Sequence, residues 1–213
     1  MLAQHQLTYF GFAGRGQSIR WAFLIGKIPF TDTVVDFATF GQQKSAGMFP
    51  LGSVPALDVD VGGVRTRFCE SNALTRYAGK LAGLYPHDPI EALRCDELLD
   101  AAEDLFASIS NSFSLPLAEK VAARQAAIAP TGAFYKVFAM IVRRYDENFA
   151  RTQAAGRMVG RSLTIADLKI AGIYVGLLSG MFDGIPSRWV TETFPSFGIE
   201  KMLADIEAAA KQD

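Results

Sequence analysis

Cysteine and histidine are scarce: the 213 residues include two of each. Cys69 and Cys95 stand in no CxxC or zinc-type spacing, which argues against a disulfide framework and a structural zinc site. His5 and His87 rule out a His-rich metal centre and leave few candidates for a Ser–His–Asp triad. A charge surplus is missing too. Lys plus Arg is 21 and Asp plus Glu is 22, for a net charge of −1, whereas a general nucleic-acid binder needs a basic excess to displace counterions. The longest suspicious apolar stretch, between Lys169 and Asp183, is interrupted by Gly172, Gly176 and Gly180 and falls short of the roughly 20 residues a bilayer span requires. Met1–Gln6 is short and polar and does not read as a secretory leader. The expectation is a cytoplasmic protein with no metal, nucleic-acid or membrane partner.

Half of the residues are hydrophobic and a fifth are charged, enough for a packed core and against wholesale disorder. The length suits one large domain or two small ones. Leu7–Phe10 reads as a strand, Gly11–Gly16 as a loop, and the apolar spacing from Ser18 to Gly26 as a helix. Phe30–Val35 is β-branched and aromatic, a second strand. Residues 36–55 show little period. Ala56–Val61 alternates Leu57, Val59 and Val61 against Asp58 and Asp60, and Gly62-Gly63 joins it to Val64–Phe68 as a two-residue hairpin. A helix follows Ser71. The order is β-α-β, then β-β-α. Beyond the Pro-bearing connector 84–89 the pattern turns helical, with stripes at Leu98, Ala102, Leu105, Ile109 and at Ile199, Met202, Leu203, Ile206. Thr164-Ile165-Ala166-Asp167 has capping-box spacing, with Leu163 and Leu168 placed for a hydrophobic staple. We expect an α+β unit over 1–83, a linker over 84–89 and an all-helical unit over 90–213.

Few residues invite chemistry. Tyr9 stands near a strand end before a glycine loop, where a phenol can donate a hydrogen bond to an anion and so favour, for instance, a thiolate over its thiol. Taken alone, such a tyrosine is more often a core residue. Gly14-Arg15-Gly16 is not a nucleotide loop, because Ile19 occupies the sixth position of the frame. Arg15 either brings positive charge beside Tyr9 or is a solvated loop residue. Pro55 can open a strand, and a cis bond there would let Val54 present its backbone to an extended peptide-like ligand. Glu70-Ser71 sits at a helix start, where free N–H groups favour a carboxylate, although a plain N-cap reads the same. Asp96, Glu97, Asp100, Glu103 and Asp104 form either a solvated face or a meeting point for a cationic ligand or partner. Both cysteines read as inert.

Taken together, Leu7-Thr8-Tyr9-Phe10 with Gly14-Arg15, Val54-Pro55, Glu70-Ser71-Asn72-Ala73-Leu74-Thr75-Arg76-Tyr77, Glu103-Asp104-Leu105 and Thr164-Ile165-Ala166-Asp167 resemble the cytosolic glutathione S-transferase family over essentially the whole chain. The Tyr9 start is similar to its tyrosine-type classes, sigma above all. The resemblance implies a thioredoxin-like domain followed by an all-α domain, assembled as a homodimer, with glutathione as co-substrate. It gives Tyr9 the thiol-activating role with Arg15 in support. It gives Ser53, Val54 and Pro55 the cysteinyl end, Glu70 and Ser71 the γ-glutamyl end, and Asp104 a reach across the dimer. Phe40 and Lys44 would hold the glycyl end, Phe40 replacing a tryptophan. Phe12, Phe106 and Phe113 would line an apolar substrate pocket. The implied activity is conjugation of apolar electrophiles, a detoxifying reaction. A glutathione-dependent isomerase of prostaglandin type and a non-catalytic carrier are the alternatives.

Overall fold

Alternating patterns produce strands where the sequence places them. The computed structural model describes residues 3–211. Its first part runs β1 (Gln4–Phe10), α1 (Gln17–Ile25), β2 (Phe30–Val35), α2 (Phe37–Ser45), β3 (Ala56–Val61), β4 (Val64–Phe68) and α3 (Ser71–Leu81). The sheet order is β2-β1-β3-β4. β1 is parallel to β2, antiparallel β3 lies on its other side, and β4 pairs antiparallel with β3. β1 is therefore central, and His5, Leu7, Thr8 and Tyr9 are all buried on it. The hairpin turn has positive φ at both glycines, +64° and +84°, the backbone that a two-residue primed turn demands.

Two local departures have plain causes. Asp58 falls on the polar face of β3 yet is buried, because Arg65 and Arg67 of β4 each bond its carboxylate at 2.7 Å. Helix α2 carries no apolar period because none of its residues is buried. It begins instead at Asp36, whose side chain accepts from the Thr39 N–H, a local cap that tells nothing of packing.

The second part holds α4 (Pro89–Ser110), a 3₁₀ turn (Asn111–Ser114), α5 (Leu117–Ile128), α6 (Ala133–Thr152), α7 (Ile165–Leu178), α8 (Trp189–Thr193) and α9 (Ile199–Ala210). This is a thioredoxin-like α+β arrangement followed by helices alone. The Leu98–Ile109 stripe is buried on α4, as are Ile199, Met202 and Ile206 on α9. One cluster of buried side chains runs through both parts, joining Leu7, Phe23 and Leu74 to Leu105, Ile141 and Leu168.

Helix α7 is the central post of that cluster. Its start is set by the capping box: Asp167 accepts the Thr164 N–H at 2.7 Å and its hydroxyl at 3.0 Å, and also the Met158 N–H at 2.6 Å. The Ile165 N–H reaches back to the Leu84 carbonyl at 3.0 Å, tying α7 to the connector. Gly79 of α3 lets α7 approach closely, since a Cβ there would stand 2.1 Å from Ile165 Cγ2. Removing the Asp167 carboxylate leaves buried donors unsatisfied. Asp167→Ala should therefore cost about 3 kcal/mol or more in urea unfolding. An unchanged midpoint would mean that the box contributes nothing to stability.

Candidate active site

Tyr9 ends its strand beneath the β1–α1 loop, its side chain 5% exposed. The loop glycines allow this. A Cβ on Gly16 would stand 2.4 Å from Tyr9 Cδ1, and one on Gly14, whose φ is +88°, 3.1 Å from the hydroxyl oxygen. The Arg15 N–H donates to that oxygen at 3.1 Å. Arg20 braces the loop from below: it pairs with Asp32 at 2.8 Å and donates to the Phe10 and Phe12 carbonyls at 2.9 and 3.2 Å. Burial pushes the Tyr9 phenol above its ordinary range, and the Arg15 amide with the Arg15 and Arg20 charges only partly offsets this. Tyr9 therefore stays a phenol at neutral pH, accepting one hydrogen bond with its own proton left to donate.

Arg15 also lines a pocket of about 300 Å³ whose lining comes from several elements and does not include Tyr9 itself. Arg15 belongs to the β1–α1 loop. Ser53, Val54 and Pro55 form one wall, and the Val54–Pro55 bond is cis. Glu70, Ser71 and Asn72 form the N-terminal end of α3, and Glu103 comes from α4. Glu70 has φ +73° and ψ 104°, a backbone that costs a non-glycine residue about 1–3 kcal/mol. A small second core of Phe49, Ala56 and Cys69, with Phe40 and Val54 against it, backs the wall.

The pocket's charged centre is Glu103. Its Oε2 meets Arg15 Nε at 2.7 Å. Its Oε1 accepts from Ser71 Oγ at 3.0 Å and from Lys169 Nζ at 2.6 Å. Burial alone would raise this carboxyl, but the lysine and arginine outweigh it and hold it below the ordinary range. The other acidic residues of α4 are mostly taken up within the chain. Asp96 pairs with Arg76 at 2.6 Å, Asp100 accepts from Asn72 at 2.9 Å, and Glu97 pairs with Arg144 at 2.6 Å. The stripe is thus neither a bare solvated face nor a free cation site. Asp104 lies on the exposed side of the helix and does not line the pocket of the single chain.

The remaining expected residues divide. Phe12 meets Tyr9 edge-on at 5.9 Å, and Phe106 lies 4.3 Å under the Arg15 guanidinium. Phe113 is half-exposed on the 3₁₀ turn, and its ring partners are Phe182 and the Arg124 guanidinium rather than Tyr9 or Arg15. Phe40 and Lys44 meet each other, ammonium to ring centre 5.8 Å, and Phe40 also packs on Phe10 and Phe49. Neither lines the pocket. Cys95 is buried and its thiol is pushed up to about 12, burial being the main cause. Cys69 is buried against the Ser53 carbonyl. Among the described residues no group of His, Cys, Asp or Glu has the arrangement to hold a metal ion.

No protein-family model matches the chain. It is 28% identical to glutathione S-transferase 1 of Ascaris suum over 173 residues, 79% of this chain and 78% of that protein. It is 31% identical to the hematopoietic prostaglandin D synthase of Gallus gallus over 103 residues, about half of each (48% and 49%). The solved structure of prostaglandin synthase D of Nilaparvata lugens superposes with a TM-score of 0.76 at 25% identity, covering 96% of this chain and 92% of that one. The chain is a relative of the cytosolic glutathione S-transferases. Those named as transferases align over about four fifths of it.

Glu103 reads in the sequence only as one of the acidic residues of α4, with Asp104 given the site role, and Arg20 and Lys169 escape the sequence reading altogether. Arg20 looks like any helical arginine until β2 supplies Asp32. Lys169 did leave a signal, as the lone cation in the otherwise apolar run 168–178 of α7. A direct check is available for the phenol. Ultraviolet difference titration of the native protein against Tyr9→Phe should place Tyr9 above the ordinary tyrosine value of about 10. A component titrating near pH 8–9 that disappears in the variant would overturn that placement.

Proposed function

We propose that this chain conjugates the glutathione thiol to apolar electrophiles. One observation carries the reading: Arg15, whose backbone N–H donates to the Tyr9 hydroxyl, also lines the pocket of Ser53, Val54 and Ser71. Glutathione is the co-substrate. The α3 N-terminus with Ser71 receives its γ-glutamyl carboxylate, Glu70 its ammonium, and Val54 its cysteinyl backbone in antiparallel pairing. Ser53 and Pro55 complete that wall. Phe40 and Lys44 take the glycyl end after closing toward it, and Asp104 serves the ammonium of a second subunit in a homodimer. The enzyme works in the cytoplasm.

The thiol gives its proton to solvent, and the Tyr9 O–H donates to the thiolate left behind. The sulfur attacks an electrophilic carbon held near Phe12 and Phe106, a C–S bond forms, and the leaving group departs with its electron pair. Fixing both reactants in one site contributes several kcal/mol of the acceleration. Tyr9 needs no charge change, which suits a phenol pushed up by burial. The 31% identity to a prostaglandin D synthase favours one second reading: the same thiolate opens an endoperoxide and is released again, so that glutathione is regenerated. Phe113 then matters only if the turn that carries it folds over the apolar side.

With 1-chloro-2,4-dinitrobenzene as electrophile, Tyr9→Phe should lower kcat/KM about 10- to 100-fold, the loss of one hydrogen bond to an anion. It should also move the rise of the pH–rate profile to higher pH, because the thiolate loses its donor. Equal activity in both proteins would remove Tyr9 from the chemistry. Activity in neither would favour a carrier, and turnover of an endoperoxide without conjugation would favour the isomerase.

A further inference from the structure

Ser71 cannot serve the incoming carboxylate and Glu103 with the same proton. In the structure its hydroxyl donates to Glu103 Oε1 at 3.0 Å. Lys169 Nζ lies 2.6 Å from that same oxygen and 3.3 Å from Ser71 Oγ. The Lys169 side chain is 2% exposed, and it reaches this point from α7 rather than from any segment that lines the pocket. A buried ammonium is costly unless it is paired, so its place here calls for a reason beyond packing.

We propose that Lys169 is a positioning residue that releases Ser71 to the ligand. When a carboxylate reaches the start of α3, the Ser71 hydroxyl turns toward it, and Glu103 loses one of its three donors. Lys169 and Arg15, at 2.6 and 2.7 Å, keep Glu103 satisfied through the exchange. Without Lys169, Glu103 would hold the Ser71 proton more tightly, and its charge would oppose the ligand's carboxylate through the serine. The groups facing Glu103 are Arg15 from the β1–α1 loop, Ser71 from α3 and Lys169 from α7, while Asp100 of α4 also acts on Lys169. Burial favours the neutral lysine, and the Glu103 carboxylate opposes that effect. The inference rests on the glutathione reading of the pocket and adds to it a residue that no ligand touches.

The test is titration calorimetry with reduced glutathione on native protein, Lys169→Met, Glu103→Gln, the Lys169→Met/Glu103→Gln pair and Lys169→Arg, each first shown by thermal melting to be folded. The native protein must bind glutathione; if it does not, the functional reading fails on its own account. Given binding, Lys169→Met should weaken it about 10-fold, with the loss appearing in KM for glutathione and little in kcat. The double variant should bind more tightly than Lys169→Met alone, because no carboxylate then competes for the Ser71 proton. Lys169→Arg should recover most of the native affinity. The Lys169→Met defect should shrink as pH falls, because Glu103, left with Arg15 alone to hold its carboxyl down, takes up a proton more readily than in the native protein. A double variant no better than Lys169→Met, or a defect independent of pH, would make Lys169 a structural residue. Native affinity in Lys169→Met would overturn the inference outright.

Discussion

A single partly buried carboxylate organises the functional end of this molecule. Glu103 draws the β1–α1 loop, the first turn of α3, α4 and the core helix α7 to one point, through Arg15, Ser71 and Lys169. Two of these contacts are charged: the Lys169 ammonium is buried, where screening is weak, whereas the Arg15 side chain is two-fifths exposed and its pair is screened more. The loop so fixed is the one whose backbone N–H rests on the Tyr9 hydroxyl. The placing of the phenol and the shape of the pocket therefore share a cause. This cause lies across the junction of the two parts rather than within either.

The rest of the architecture keeps that junction rigid. β1 is central to the sheet and carries Tyr9 to its end, Arg20 pins the following loop to β2, and glycines 14 and 16 let the loop close on the ring. On the other side α7 is buried around its circumference and started by a satisfied capping box. Its contact with α3 depends on Gly79 having no side chain. Arg76 and Asn72 of α3, bonded to Asp96 and Asp100 of α4, hold the helix that bears Ser71. Individually such ion pairs contribute little; here they set the angle of a helix N-terminus.

Much of this was legible in the chain. Strands with alternating residues and a Gly-Gly turn declare themselves, and so do helices with apolar stripes, because burial on one face leaves a period. The Thr164–Asp167 box is local and was read directly. Helix α2 is not legible in this way, because it buries no residue fully and lays only Phe40 against the small second core, which leaves no period beyond its cap. The acidic residues of α4 were ambiguous for a related reason: a one-dimensional pattern shows like charges stacked together, and their cations come from α3, α6, α7 and a loop.

The sequence by itself determined the strands of the first part with the helices that follow Ser18 and Ser71, the helix start at Thr164 and the place of Tyr9 near a strand end, since each depends on neighbours within a few residues. Tertiary structure decided that Glu103 rather than Asp104 faces the pocket, that Lys169 reaches it from the core, and that Phe40 and Phe113 pack elsewhere. Those outcomes depend on which helix faces which. A helix turns about 100° per residue, so adjacent acids on α4 point in different directions, and only the packing of the two parts chose which one met the lysine.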